Sequence, residues 1–202
     1  MAEPATKMDA ALELLRKHGT LRPRDLASRS IPPDYLDRLY RLGRVDRVAR
    51  GLYAWPDAEV SEHHGLAEVA RLVPRGVVCL LSALRFHGLT TQSPREVWLT
   101  LPSKAWAPKT EYPRLRIIRA MGPALTAMVE EHGVEGIAVK IYSPAKTVAD
   151  CFKHRSKVGL DVALEALRDT FRGRKATMDE LWAAARVCRM ENVMRPYLES
   201  LT

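Results

Sequence analysis

The chain has 202 residues, enough for one average domain or for a small module joined to a larger one. Hydrophobic side chains make up 47% and charged ones 28%, the balance of a globular protein, and no apolar run reaches the roughly 18 residues of a membrane span. A formal net charge of +8 favours a polyanionic partner, nucleic acid foremost.

Met8, Ala11, Leu12 and Leu15 recur at helical spacing and predict a helix over residues 8–17, ended by Gly19 with Lys17 and His18 near its negative pole. A second, short helix is expected to begin at Thr20 and Leu21 and to contain Arg24, Asp25, Leu26 and Ala27. Leu26 and Ala27 would face inward, and Arg22, Arg24 and Arg29 outward. Ser30-Ile31-Pro32-Pro33 reads as a turn. A third helix over residues 33–42 would take Pro33 in its first position, where the missing N–H is no loss, and bury Leu36, Leu39 and Tyr40 before a Gly43 cap. Two strands, residues 44–49 and 51–55, then form a hairpin. Short helix, turn, helix, hairpin is the order of a winged helix-turn-helix.

Between Thr20 and Ala54 lie eight arginines against four acidic side chains. In such modules the second helix of the pair enters the major groove, where arginine donates bidentately to guanine. Tyr35, Arg38 and Arg41 are the expected groove-facing residues. Arg44, Arg47 and Arg50 suit phosphates along the wing, with Arg22 and Arg24 flanking. Asp34 favours the helix N-terminus, and Asp37 stands four residues before Arg41, the spacing of a helical ion pair. The same elements also serve elsewhere as a protein-docking unit with a solvated arginine face.

Residues 56–59 read as a linker, so the expected domains are 1–58, binding DNA, and 59–202. Ser61 would cap a helix over residues 62–72, stopped by Pro74 and Gly76. The run Val77-Val78-Cys79-Leu80-Leu81 is too short for periodicity to separate a buried strand from a helical turn. Ser82 would cap residues 83–87, closed by Gly88. Strands are expected at residues 96–101, 115–120 and 137–142, with a proline-rich loop and Trp106 between the first two. Beyond Ser143 the pattern is helical over residues 144–154, 160–171, 178–188 and 191–201. The expected class is α+β: a winged helix-turn-helix, then an α/β domain with a small mixed sheet and C-terminal helices.

Catalytic patterns fit poorly. A metal-dependent nuclease needs paired carboxylates and a lysine at close spacing. Glu135 and Lys140 are too far apart, and Asp150 precedes Lys153 by three positions on a helix. His63 and His64 are adjacent, so on a helix they point about 100° apart. Gly-rich phosphate loops, Gly-x-Ser-x-Gly and HExxH are absent, so neither enzyme, cofactor nor metal is expected. Arg85 and His87 are two apart on a short helix, and a structural His87 is the simpler reading. Cys79, Cys151 and Cys188 lack CxxC spacing, the pattern of reduced thiols in a cytoplasmic protein. The N-terminus lacks the basic-then-apolar pattern of a signal peptide.

Lys146 and Asp150 are four apart and pair along a helix, at the surface in one reading. In the other, Lys146 joins Lys153 and Arg155 in a basic rim. Arg114 and Arg116 share one strand face, and Arg172 stands with Arg168, Arg174 and Lys175 at a helix end. Together Arg114, Arg116, Lys146, Lys153, Arg155 and Arg172 are the candidates for a second basic surface.

Three stretches carry a resemblance: Arg50-Gly51-Leu52-Tyr53-Ala54, Ser82-Ala83-Leu84-Arg85-Phe86-His87-Gly88-Leu89, and Ser143-Pro144-Ala145-Lys146-Thr147-Val148-Ala149-Asp150. In this order the chain resembles AbiEi-type antitoxins, the regulator partners of AbiEii-type nucleotidyltransferase toxins in type IV toxin–antitoxin systems. The resemblance implies a winged helix that represses its own operon and a C-terminal antitoxin domain. It implies DNA contact through residues 47–53 and the third helix. A type IV antitoxin counteracts its toxin's effect without necessarily binding it, so direct contact with the toxin is left open. Two copies on an inverted repeat would supply the specificity that one short site lacks.

Overall fold

The computed structural model describes residues 6–49, 51–56, 63–108, 110 and 113–201. The chain divides into two compact units, Met1–His64 and Gly65–Thr202.

In the first unit, α1 (Lys7–His18) is capped by Thr6, whose hydroxyl accepts the Asp9 N–H at 3.2 Å, and it buries Ala11, Leu12 and Leu15. Thr20 and Leu21 do not open a helix. They form β1 (Thr20–Leu21), both side chains buried, paired antiparallel with β3 (Leu52–Ala54). Two residues are too few to show a strand period, and local propensity yields here to a distant pairing partner. The short helix α2 (Pro23–Ala27) follows, with Asp25 Oδ2 accepting the Arg22 N–H at 2.8 Å. Leu26 packs inward as expected, but Ala27 is exposed.

Helix α3 (Tyr35–Arg41) starts after Pro33 rather than on it. Leu36 and Leu39 are fully buried, whereas Tyr40, expected inward, is 45% exposed. Gly43 ends the helix at φ +67°. Its N–H donates to Tyr40 O and the Arg44 N–H to Leu39 O, each at 2.9 Å. This doubly bonded ending needs the left-handed backbone that glycine adopts without cost. Strand β2 (Asp46–Ala49) pairs with β3, giving a three-stranded sheet of order β1-β3-β2.

The second unit runs α4 (His64–Leu72), β4 (Val77–Val78), α5 (Leu80–Phe86), β5 (Val97–Pro102), β6 (Leu115–Ala120), α6 (Pro123–Thr126), β7 (Val129–Val134) and β8 (Ile137–Tyr142). Helices α7 (Pro144–Lys153), α8 (Arg155–Val158), α9 (Leu160–Arg172), α10 (Met178–Cys188) and α11 (Glu191–Glu199) complete it. The chain is α+β, and this unit holds a small mixed sheet followed by helices. Strand order is β6-β5-β4-β8-β7, with β5–β6 and β4–β8 parallel and the other pairs antiparallel. The ambiguous run at residue 77 is both things, a two-residue strand and then a helix starting at Leu80. Ser82 therefore lies inside α5 instead of capping it, and its buried hydroxyl accepts the Trp98 N–H at 3.0 Å. The expected Ser61 cap lies outside the described residues.

Alternation along the strands sorts side chains to two faces. Val77, Trp98, Ile118 and Tyr142 join the core beneath α7, α9, α10 and α11, while Val78, Leu99, Val139 and Ile141 pack with Leu66 and Val69 of α4 and with Val73 just after it. Gly76 is required by this packing: a Cβ there would lie 2.6 Å from Leu99 Cδ2. Strand β7 was not expected. It forms the sheet edge and turns into β8 through Glu135 and Gly136, at φ +50° and +74°.

Helix α7 is enclosed, with every residue from Ala145 to Phe152 buried. The expected surface pair of Lys146 and Asp150 is thus an internal one. Lys146 is fully buried, its Nζ 2.5 Å from Asp150 Oδ2 and 4.1 Å from the Tyr142 ring centre. Asp150 Oδ1 also accepts the Cys188 thiol at 3.2 Å, tying α7 to α10. All three cysteines are free and buried, and burial pushes the Cys79 and Cys188 thiols up to about 12, so they stay protonated and unreactive at neutral pH.

Replacing Lys146 by alanine strands a carboxylate in the core, and the expected loss is about 3–5 kcal/mol. Lys146→Met with Asp150→Leu should recover most of it. Urea unfolding checks both. A single-variant loss below about 1 kcal/mol, the scale of an exposed ion pair, would refute the internal pair.

Candidate nucleic-acid interface

Four arginines of the first unit, Arg38, Arg41, Arg44 and Arg47, lie on α3, the turn after it and β2. Arg38 is exposed, and its guanidinium lies 5.7 Å from the centre of the half-buried Tyr35 ring, one helical turn back. At that distance the ring face attracts the guanidinium. Arg41 is 77% exposed but tethered, its Nη2 2.8 Å from Asp37 Oδ2, the pairing that the i, i+4 spacing predicted. Asp37 also accepts the Tyr53 hydroxyl at 3.4 Å, and the Tyr53 and Tyr40 rings meet edge-on at 6.3 Å. Burial, followed by the charge of Asp37, pushes the Tyr53 hydroxyl pKa up. The tyrosine of the Arg-Gly-Leu-Tyr motif is therefore a buried strut from β3 to α3.

Arg44 and Arg47 are exposed, and Arg47 stands opposite Tyr53 in the β2–β3 register. Arg24 is exposed on α2 and Arg22 half-buried before it, while Arg50 lies outside the described residues. Two residues not assigned to the interface from sequence also reach solvent here, Tyr40 and Leu42, the latter 62% exposed. The signal was faint. Leu36 and Leu39 alone satisfy the inward stripe, which leaves Tyr40 on its margin and Leu42 past the last turn.

The candidates for a second basic surface separate. Arg114 and Arg116 are exposed beside Arg95 and Glu96, with Arg116 stacked 4.4 Å from Trp98 and 3.8 Å from Glu96. Lys153 lines a different cavity together with Arg119. Arg155 donates to Phe152 O at 3.0 Å, and Arg172 is exposed at the end of α9. Lys146 is corrected: buried against Asp150, it belongs to no surface. Among the described residues no group of three or more His, Cys, Asp or Glu side chains is placed to hold a metal ion. Nor is any helix among them long and apolar enough to cross a membrane.

His87 has a structural role. Its Nε2 donates to Tyr142 O at 2.8 Å, and its own carbonyl accepts Lys175 Nζ.

Residues 9–56, which span nearly all of α1–α3 and the three-stranded sheet, match the family model described as transcriptional regulator, AbiEi antitoxin. Among solved structures, the chain is similar to the crystal structure of the RV2827C protein from Mycobacterium tuberculosis. The TM-score is 0.59 and the identity 16%, over 92% of this chain and 73% of that one. At that identity the likeness is one of fold. No curated protein matched the chain.

Burial lowers the pKa of both His87 and His154 from the usual 6.5. Below that value the unfolded chain binds protons that the folded chain refuses, so stability present above pH 6.5 falls as the pH drops toward the lowered folded values. Urea midpoints at pH 7.5 and pH 5.5 should show the loss, and His87→Gln should reduce it; a pH dependence unchanged by His87→Gln would contradict this assignment.

Proposed function

We propose that the protein is a DNA-binding transcriptional repressor and antitoxin whose first unit is a winged helix-turn-helix. Helices α2 and α3 form the helix-turn-helix, and β2–β3 form the wing. The observation that carries the reading is the exposed arginine face of α3 and β2, inside a segment that matches a transcriptional-regulator family. Arg38, in contact with Tyr35, reads a base edge in the major groove, with Tyr35 beside it. Arg41 follows by exchanging Asp37 for DNA. Arg44, Arg47 and Arg50 neutralise phosphates, with Arg22 and Arg24 at the flank.

Residues 1–58 are the DNA-binding domain and residues 59–202 the antitoxin domain, acting in the cytoplasm with reduced thiols and without catalysis. The operator is that of the protein's own operon, bound by two copies on an inverted repeat. The functional partner is a nucleotidyltransferase-type toxin. A second reading, docking of the first unit onto a partner protein, draws on the apolar exposure of Tyr40 and Leu42. It predicts a stable complex with a neighbouring gene's product that Leu42→Asp dissolves.

Two arginine variants test the proposal by their different signatures. Arg38→Ala should relax discrimination at one base pair by about 1–3 kcal/mol. Arg47→Ala should weaken operator and random DNA alike and reduce the salt slope by about one. Equal losses on operator and random DNA for Arg38→Ala would reject its role as a base reader.

A further inference from the structure

A cavity of about 700 Å³ opens in the second unit beside the carboxyl ends of the parallel pair β5–β6, walled by α6, the end of α7 and the end of α10. Crevices at the carboxyl ends of parallel strands are recurrent ligand sites, and this volume lies within the roughly 300–1,000 Å³ of small-molecule pockets. Four cations line it, Arg119, Lys153, Arg186 and Arg189, against one carboxylate, Asp150. That carboxylate is already neutralised by Lys146 at 2.5 Å.

The cations are poorly balanced by the protein itself. Among the described residues neither Lys153 nor Arg189 has an acidic partner, and Arg186 reaches Glu191 only at 3.9 Å with both side chains well exposed. Arg119 donates to Pro102 O and Ala105 O, which anchors its guanidinium at the rim. Leu80, Ile118 and Val187 supply apolar wall. These four come from β6, α7 and the end of α10, and all line one hollow.

The backbone adds an independent sign. Leu80 and Arg189 both line the cavity, and both hold left-handed conformations, at φ +46° and +59°. They are two of the six non-glycine positions with positive φ among the described residues, and positions of this kind are found at ligand sites. Arg189 ends α10 in the left-handed conformation that glycine adopts at lower cost.

We propose that this cavity binds a nucleoside phosphate, with phosphate oxygens on Lys153, Arg186 and Arg189 and the base against Leu80, Ile118 and Val187. One cavity lined by both cations and apolar side chains suits one phosphorylated nucleoside better than a strand of nucleic acid, which needs a track of charges. None of the arginines of α3 and β2 lines this cavity.

Calorimetric titration of the full chain with ATP, GTP, adenosine and tripolyphosphate tests the proposal. At least one of the two nucleotides should bind in the micromolar range, tripolyphosphate more weakly, and adenosine undetectably. Lys153→Gln and Arg189→Gly should each weaken nucleotide binding about tenfold or more, while Arg38→Ala leaves it unchanged. Arg189→Gly should melt at the same temperature as the parent or higher, which separates loss of ligand contact from loss of fold. Absence of binding by both nucleotides at millimolar concentration would overturn the proposal. So would full affinity in Arg189→Gly, tripolyphosphate bound as tightly as the nucleotide, or binding of an RNA oligonucleotide alone.

Discussion

The charge pair inside α7 constrains everything packed around it. A lysine and an aspartate held in a core must be kept together, because separating them leaves an ion without its partner. Tyr142 presents its ring to Lys146, and Cys188 donates to the far oxygen of Asp150. The last residue of β8 and the last turn of α10 are thereby locked to one helix. Thr147 extends the lock by donating to Tyr142 O at 3.1 Å, the same carbonyl that receives His87. These contacts tie α7 to β8 and α10 through polar groups. Asp150 and Lys153 of the same helix both line the basic cavity.

The first unit applies the same chemistry at its surface with a different result. Asp37 receives Arg41 from its own helix and Tyr53 from the hairpin, so the angle between α3 and the sheet is held by polar contacts above the Leu36–Leu39 core. Exposed pairs of this kind contribute little stability, since water competes for both partners. They matter here for placement. Arg41 is paired with its carboxylate and Arg38 rests against Tyr35, so neighbouring arginines on one helix differ in the partner each would exchange for a polyanion.

Much of the architecture was legible because it rests on local periodicity. The strands at residues 115–120 and 137–142 and the helix at residues 178–188 have the bounds that alternation and capping residues predicted. What escaped was decided at a distance. Thr20 and Leu21 become a strand only because Tyr53 and Ala54 offer a partner, and β7, charged along its middle, is readable only beside β8. An i, i+4 lysine–aspartate pair has one spelling whether it faces water or the core. Burial is settled by the helices around it, so Lys146 could not be placed from its own segment. The basic cavity escaped for the same reason: its cations come from β6, α7 and α10, and no spacing in the chain connects them.

The most direct test of the account is fluorescence-anisotropy titration of the full chain onto the DNA upstream of its own gene and onto a scrambled duplex of equal length, at two salt concentrations. The account predicts binding selective for the upstream DNA that weakens steeply as salt rises, as phosphate contacts through arginine require. Equal binding to both duplexes, or none to either, would contradict the repressor reading and leave the first unit as a protein-docking module.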